Sequence, residues 1–178
     1  METLFAVLTA LGTDRVGIAD DIAEILEQES FNIEESRMAV LGGEFAIILL
    51  FSGAAEAISH LQSRSEVIGQ KLNLKIDIKE TQKSDLSHAG LPYILESTSL
   101  DSSGIVHAIT ALLRNKGISI ESLETEARPA PLTGSPMFFI RASLLLPRGA
   151  SVKQLRKNLE ELEQDHDLDI TLKASALI

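Results

Sequence analysis

The chain has 178 residues, no cysteine, and a formal net charge of −10 from 16 basic and 26 acidic residues. The lack of cysteine excludes disulfides, thiolate metal sites and a cysteine nucleophile, and an acidic chain without a basic stretch disfavours a nucleic-acid surface. The N-terminus has no signal-peptide pattern and the longest apolar run, 45–51, is too short to span a bilayer, so we expect a soluble, cytoplasmic protein with no membrane partner.

The first half of the chain alternates strand and helix patterns. Apolar residues at helical spacing from Ile18 to Leu26 predict an amphipathic helix, and Gly42-Gly43 predicts a tight hairpin. Gly69 marks a place where the second helix could break. In chain order the predicted elements are strand 4–11, helix 16–29, strands 31–41 and 44–52, helix 54–72 and strand 74–79.

The second half repeats the first. The segment Leu11–Ile18 recurs in degenerate form as Thr98–Ile105, and the step from Gly17 to Gly104 gives an offset of 104 − 17 = 87 residues. Internal repetition at a fixed offset predicts two copies of one domain. The second copy is expected to contain strand 93–100, helix 104–116, strands 118–128 and 137–146, helix 152–164 and strand 168–176.

The order β-α-β-β-α-β is that of the split β-α-β, or ferredoxin-like, arrangement. We therefore predict an α+β protein with domains at 1–80 and 93–178, joined by a polar linker over 81–92. Each domain should hold a four-stranded antiparallel sheet with both helices on one face. Three prolines in the loop 129–136 are expected to part the strands of the second hairpin, because proline cannot donate a ladder hydrogen bond.

The strand at 44–52 is apolar on both faces, through the run Phe45–Phe51. Helices can cover only one face of the sheet, so the other face needs a cover from the sister domain, another subunit or a partner. We expect the halves to pack through their sheets or to add edge to edge, in a homodimer or larger assembly.

The segment Gly12-Thr13-Asp14-Arg15-Val16-Gly17-Ile18, with Asn32-Ile33 opening the next strand, resembles the ACT domain. Two such domains with no attached enzyme or DNA-binding domain are similar to the glycine cleavage system transcriptional repressor family. The resemblance implies a regulatory protein that binds a small amino acid, with glycine the first candidate. It also implies action through a protein partner, such as a transcription factor, without direct contact with nucleic acid.

The two strand-to-helix turns are the candidate ligand sites. A helix N-terminus offers unpaired N–H groups and partial positive charge to a carboxylate, and a glycine permits close approach. The first turn is expected to bind more strongly, because Arg15 suits a carboxylate while Ser102 replaces it in the second. The candidate ligand-binding residues are Asp14, Arg15, Val16, Gly17, Ile18, Asn32, Asp101, Ser102, Ser103, Gly104 and Ile105. The alternative is that Asp14 and Asp101 are only helix N-caps.

Other chemistry is disfavoured, and no cofactor, metal or catalytic residue is expected. The spacing from Gly12 to Gly17 matches a Walker A loop, but Ile18-Ala19 stands where Lys-Ser/Thr is required. Ser103 and His107 lie one helical turn apart without a nucleophile elbow, and the acidic turn 165–169 reads equally well as a polar connection. A ligand-free interaction module is the main alternative function, and a small ferredoxin-like enzyme is the less favoured one.

Overall fold

The structure, a computed structural model, describes residues 3–82, 90–100, 103–130 and 134–175. The chain divides into two compact units, Met1–Ser84 and Asp85–Ile178. The elements of the first unit are β1 (Thr3–Thr13), α1 (Ile18–Gln28), β2 (Asn32–Leu41), β3 (Glu44–Ala54), α2 (Ala55–Leu72) and β4 (Lys75–Thr81). Those of the second are β5 (Gly90–Leu100), α3 (Ile105–Asn115), β6 (Ser119–Pro129), β7 (Pro136–Pro147), α4 (Val152–His166) and β8 (Leu168–Ala174).

Both units have the predicted ferredoxin-like fold. Each sheet is antiparallel and four-stranded, in the order β2-β3-β1-β4 in the first unit and β6-β7-β5-β8 in the second. The edge strands are therefore β2 and β4, and β6 and β8. The fold class predicted from the order of the elements is confirmed, with two tandem β-α-β-β-α-β units.

The first helix of each unit buries equivalent apolar residues in the core. In the first unit Ile18, Ile22 and Leu26 form the buried stripe of α1 against the sheet. At the offset of 87 residues, α3 buries Ile105, Ile109 and Leu113 in the same way. Because these positions follow the helical period, the apolar stripe read from the sequence is the one that packs.

Of two predictions that depend on glycine, one is confirmed and one is wrong. The Gly42-Gly43 hairpin is confirmed, with φ of 61° and 84°, as a two-residue turn with positive φ at both positions requires. The helix break near Gly69 is wrong, because α2 is continuous to Leu72. A Cβ on Gly69 would lie 2.5 Å from the carbonyl oxygen of Leu74, so this glycine lets the helix approach the chain entering β4.

Both ends of the predicted linker lie in strands. Thr81 ends β4 and Gly90 begins β5, whereas residues 83–89 lie outside the described part of the chain.

The strands of the second hairpin were expected to separate at its prolines. This prediction is wrong at the two outer prolines, since Pro129 pairs with Pro136. Proline is tolerated there because Pro129 lies on an edge strand and Pro136 is the first residue of its strand.

None of the helices that the structure describes is long and apolar enough to cross a membrane.

Candidate functional site

The turn between β1 and α1 is built on Gly17. This residue is the N-cap of α1, with φ of 90° and ψ of −3°, and no side chain caps the helix. Its carbonyl accepts the Asp21 N–H at 2.9 Å, and the Ile18 N–H donates to the Arg15 carbonyl at 3.4 Å. Asp14 is therefore not the N-cap, because the left-handed glycine takes that position three residues later.

The backbone of this turn is open. A Cβ built on Gly17 would meet no atom within 4 Å. Val16 beside it is fully exposed, while Ile18 is buried and anchors the helix to the core. The turn therefore presents uncovered backbone and an apolar side chain to solvent, with its position held by Ile18.

The second turn has the same backbone. Gly104 has φ of 94° and ψ of −8° at the start of α3, and its carbonyl accepts the Ala108 N–H at 2.9 Å. The space beside Gly104 is also open, Ser103 is exposed, and Ile105 is buried like Ile18. The remaining candidates of this turn, Asp101 and Ser102, lie outside the described residues.

Charge at the first turn is already partly paired. The Arg15 guanidinium binds the Asp21 carboxylate, with Nη2 2.5 Å from Oδ2, and both side chains are well exposed. A ligand carboxylate at this turn would compete with Asp21 for the guanidinium. The Asp14 N–H donates to the Gly43 carbonyl at 2.9 Å, so the turn is fastened to the hairpin that joins β2 to β3.

Asn32 lies at the other end of the same sheet. Gly12, just before the turn, pairs with Phe45, whereas Asn32 pairs with Ser52. The seven residues from 45 to 52 along β3 correspond to about 24 Å. Asn32 donates from Nδ2 to Glu34 Oε1 at 2.9 Å, within the same strand. One unit therefore does not bring Asn32 to its own β1–α1 turn.

Among the residues that the structure describes, no catalytic or metal site is assembled. Ser103 lies in the turn before α3 and His107 in the first turn of that helix, and both are exposed. Across the described ranges, no group of three or more His, Cys, Asp or Glu residues is placed to hold a metal ion. The acidic turn after α4 has a structural role, since Asp167 is the left-handed C-cap with φ of 54° and donates its N–H to the Glu163 carbonyl.

Two buried polar groups were missed by the sequence reasoning. Ser97 and Ser99 on β5 are buried, and their hydroxyls have no hydrogen-bond partner within the part of the chain that the structure describes. At the offset of 87 they stand where the first unit has Ala10 and Gly12. A comparison of the two repeats, position by position, would have revealed this difference just before the second turn.

Comparisons with known proteins agree with this architecture. Residues 5–79 match the ACT domain family. The glycine cleavage system transcriptional repressor of Escherichia coli (strain K12) is 29% identical over 158 residues, which cover 89% of this chain and 83% of that protein.

Two solved structures extend over both units. An unknown protein from Galdieria sulphuraria is 33% identical, with a TM-score of 0.82, and the match covers 98% of this chain and 100% of that one. A "putative glycine cleavage system transcriptional repressor" is 26% identical, with a TM-score of 0.76, and covers 99% of this chain and 100% of that one. Residues 5–79, which lie in the first unit, therefore match the ACT domain family, the second unit repeats the strand order and turn geometry of the first, and the chain as a whole is similar to the glycine cleavage system transcriptional repressors.

Proposed function

We propose that this chain is a regulatory protein that binds a small amino acid at the β1–α1 turn and transmits the bound state to a partner protein. The observation that carries the proposal is the open, left-handed Gly17 at a helix N-terminus that no side chain caps. Glycine is the first candidate ligand and transcriptional control of amino-acid metabolism the candidate process, by similarity to the repressor of Escherichia coli.

The chemistry of the turn suits a zwitterion. Backbone N–H groups at the start of α1 and the Arg15 guanidinium can both donate to a carboxylate, while Asp14 provides a negative charge for the ammonium group. Binding would exchange the Asp21 carboxylate for that of the ligand, because Asp21 now holds Arg15. This exchange alters the charge at the turn without refolding the helix.

The route to a partner begins at the hairpin. Because the Asp14 N–H binds the Gly43 carbonyl, a ligand that reshapes the turn also acts on the end of edge strand β2. A ligand that binds one arrangement of this edge more tightly shifts the population toward it. We propose that a cytoplasmic protein partner, such as a transcription factor, reads that arrangement.

A thermal-shift screen over the twenty amino acids, with purines and folates as other ligand classes, tests the ligand. We expect one small amino acid to raise the melting temperature, because a ligand at about 100 times its dissociation constant adds about 2.7 kcal/mol to the stability of the native state. If no compound in the screen shifts the melting temperature, the ligand-free interaction module is the better description of this protein.

The purified chain alone is expected not to bind DNA specifically. Its net charge of −10 opposes phosphate contact, since duplex binding depends on clustered Lys and Arg that release counterions. A gel-shift or anisotropy titration at two salt concentrations checks this. Salt-sensitive, sequence-selective binding at submicromolar protein would overturn the proposal that regulation runs through a protein partner.

A further inference from the structure

The sheet of the first unit has a face directed away from its helices, here called the outer face. Directly paired residues of neighbouring strands place their side chains on the same face of a sheet. The strand register therefore shows which residues lie side by side on the outer face, in rows that cross the four strands. From β2 across β3 and β1 to β4, the three rows are Glu35, Leu50, Val7 and Lys79; Arg37, Ile48, Thr9 and Asp77; and Ala39, Ala46, Leu11 and Lys75.

The middle of the outer face is apolar and exposed. Ile48 at its centre is 51% exposed and Leu11 is 52% exposed, and Leu50 and Val7, in the row on the other side of Ile48, are half-buried. A contiguous apolar patch with a charged margin is typical of a surface that another protein covers. The charged margin then indicates which surface fits it.

The charges at the two margins are complementary to each other. β2 carries Glu35 and Arg37, which are exposed and 3.0 Å apart, and β4 carries Lys79 and Asp77, also exposed. A two-fold axis parallel to the strands, between two stacked copies of this sheet, places β2 of one copy over β4 of the other and keeps the rows aligned. Arg37 then faces Asp77, and Glu35 faces Lys79, each pair occurring twice.

We propose that the outer face of the first sheet is a self-complementary, two-fold interface, and that its occupant is the same face of a second copy of this chain. Closed two-fold contacts use one patch on both subunits, which a face with opposite charges on opposite margins satisfies. Stacked sheets lie about 10 Å apart, a separation that long charged side chains can bridge. The residues of the two central strands, β3 and β1, are then buried together in the middle of the interface.

The corresponding face of the second sheet does not fit this role. At the positions equivalent to Thr9 and Ile48 it carries Glu96 and Arg141, joined by an ion pair of 2.7 Å, and Lys173 adds a contact of 3.4 Å to Glu96. Covering this cluster would remove charges from water at the centre of the interface, which costs free energy. The apolar strand noticed in the sequence therefore favours a partner for the first sheet alone.

A charge-swap experiment tests the interface in the full-length chain. Arg37→Asp and Asp77→Arg each turn two attractive pairs into repulsive ones, so each is expected to weaken dimerisation by about tenfold or more. The double variant restores opposite charges and should return the dissociation constant to within about threefold of the wild type. Sedimentation velocity over a concentration series at low ionic strength measures all four proteins.

Two further variants separate this interface from other modes of association. Ile48→Glu should abolish the dimer, with circular dichroism and thermal melting showing that the fold is retained. Arg141→Asp on the second sheet is the matched control and should leave the dissociation constant unchanged. The proposal is overturned by a wild type that is monomeric at about 0.1 mM, by single variants that dimerise normally, by failure of the double variant to restore dimerisation, or by an Arg141→Asp variant as impaired as Arg37→Asp.

Discussion

Leu26→Ala is expected to lower the free energy of unfolding of the first domain by about 3–5 kcal/mol. Leu26 is fully buried in the core between α1 and the sheet, so truncation removes apolar contacts and leaves a cavity in a small domain. Such a loss is a large fraction of the stability of a domain of this size. Urea unfolding followed by circular dichroism measures it, and a loss below about 1 kcal/mol would contradict the core assignment.

Leu113→Ala is the matched variant, because Leu113 is the fully buried equivalent of Leu26 at the offset of 87 residues. The chain has one tyrosine and no tryptophan, and Tyr93 lies on β5 of the second unit. Tyrosine fluorescence therefore reports the second domain, whereas circular dichroism reports both. We expect Leu113→Ala to move the fluorescence transition to lower urea, and Leu26→Ala to move the dichroism transition more than the fluorescence one.

Gly17→Asn is expected to abolish the response to the amino acid found in the thermal-shift screen, with at least about a tenfold loss of affinity. A side chain at Gly17 enters open space, so it blocks the approach of a ligand to the backbone without a clash in the protein. Asparagine is chosen because φ at this position is 90°, a left-handed conformation that asparagine tolerates and a branched or bulky residue does not. Calorimetry on the folded variant measures the affinity.

Gly104→Asn makes the same change at the same backbone angles in the second turn, and should leave the affinity of the first site unchanged. Arg15→Ala should weaken binding, whereas Asp21→Asn should strengthen it by releasing the guanidinium that Asp21 holds. Asp20→Asn removes the same charge from the same helical turn and controls for the general effect of charge. A folded Gly17→Asn variant with wild-type affinity would show that this turn is not the site.

The sequence proposes Gly17 as a candidate site, but the choice of the substitution that tests it depends on backbone angles that only the structure gives. The repeat and the turn motif single out Gly17 as a candidate, but only the structure gives its φ of 90°, at which a branched or bulky side chain would be strained. The sequence also did not show that Asp21 would compete with a ligand carboxylate for the Arg15 guanidinium. Asp21 is six residues from Arg15, and a helical pattern alone does not say which carboxylate an arginine at the preceding turn will bind.

The sequence by itself determined the features that depend on local order. These are the two repeats, the alternation of strand and helix, the buried stripes of α1 and α3, and the two-residue hairpin at Gly42-Gly43. Each rests on periodicity or on the backbone freedom of glycine within a few residues, so neighbours in the chain carry enough information to predict it.

Only the tertiary structure decided the features that depend on residues far apart in the chain. It placed Asn32 at the opposite end of the sheet from the β1–α1 turn, and it showed that α2 is unbroken and that Gly69 lets it lie close to Leu74. It also set Arg37 and Asp77 on one row across four strands. Strand order and register bring such residues together, and both are decided by the packing of the whole sheet against its helices.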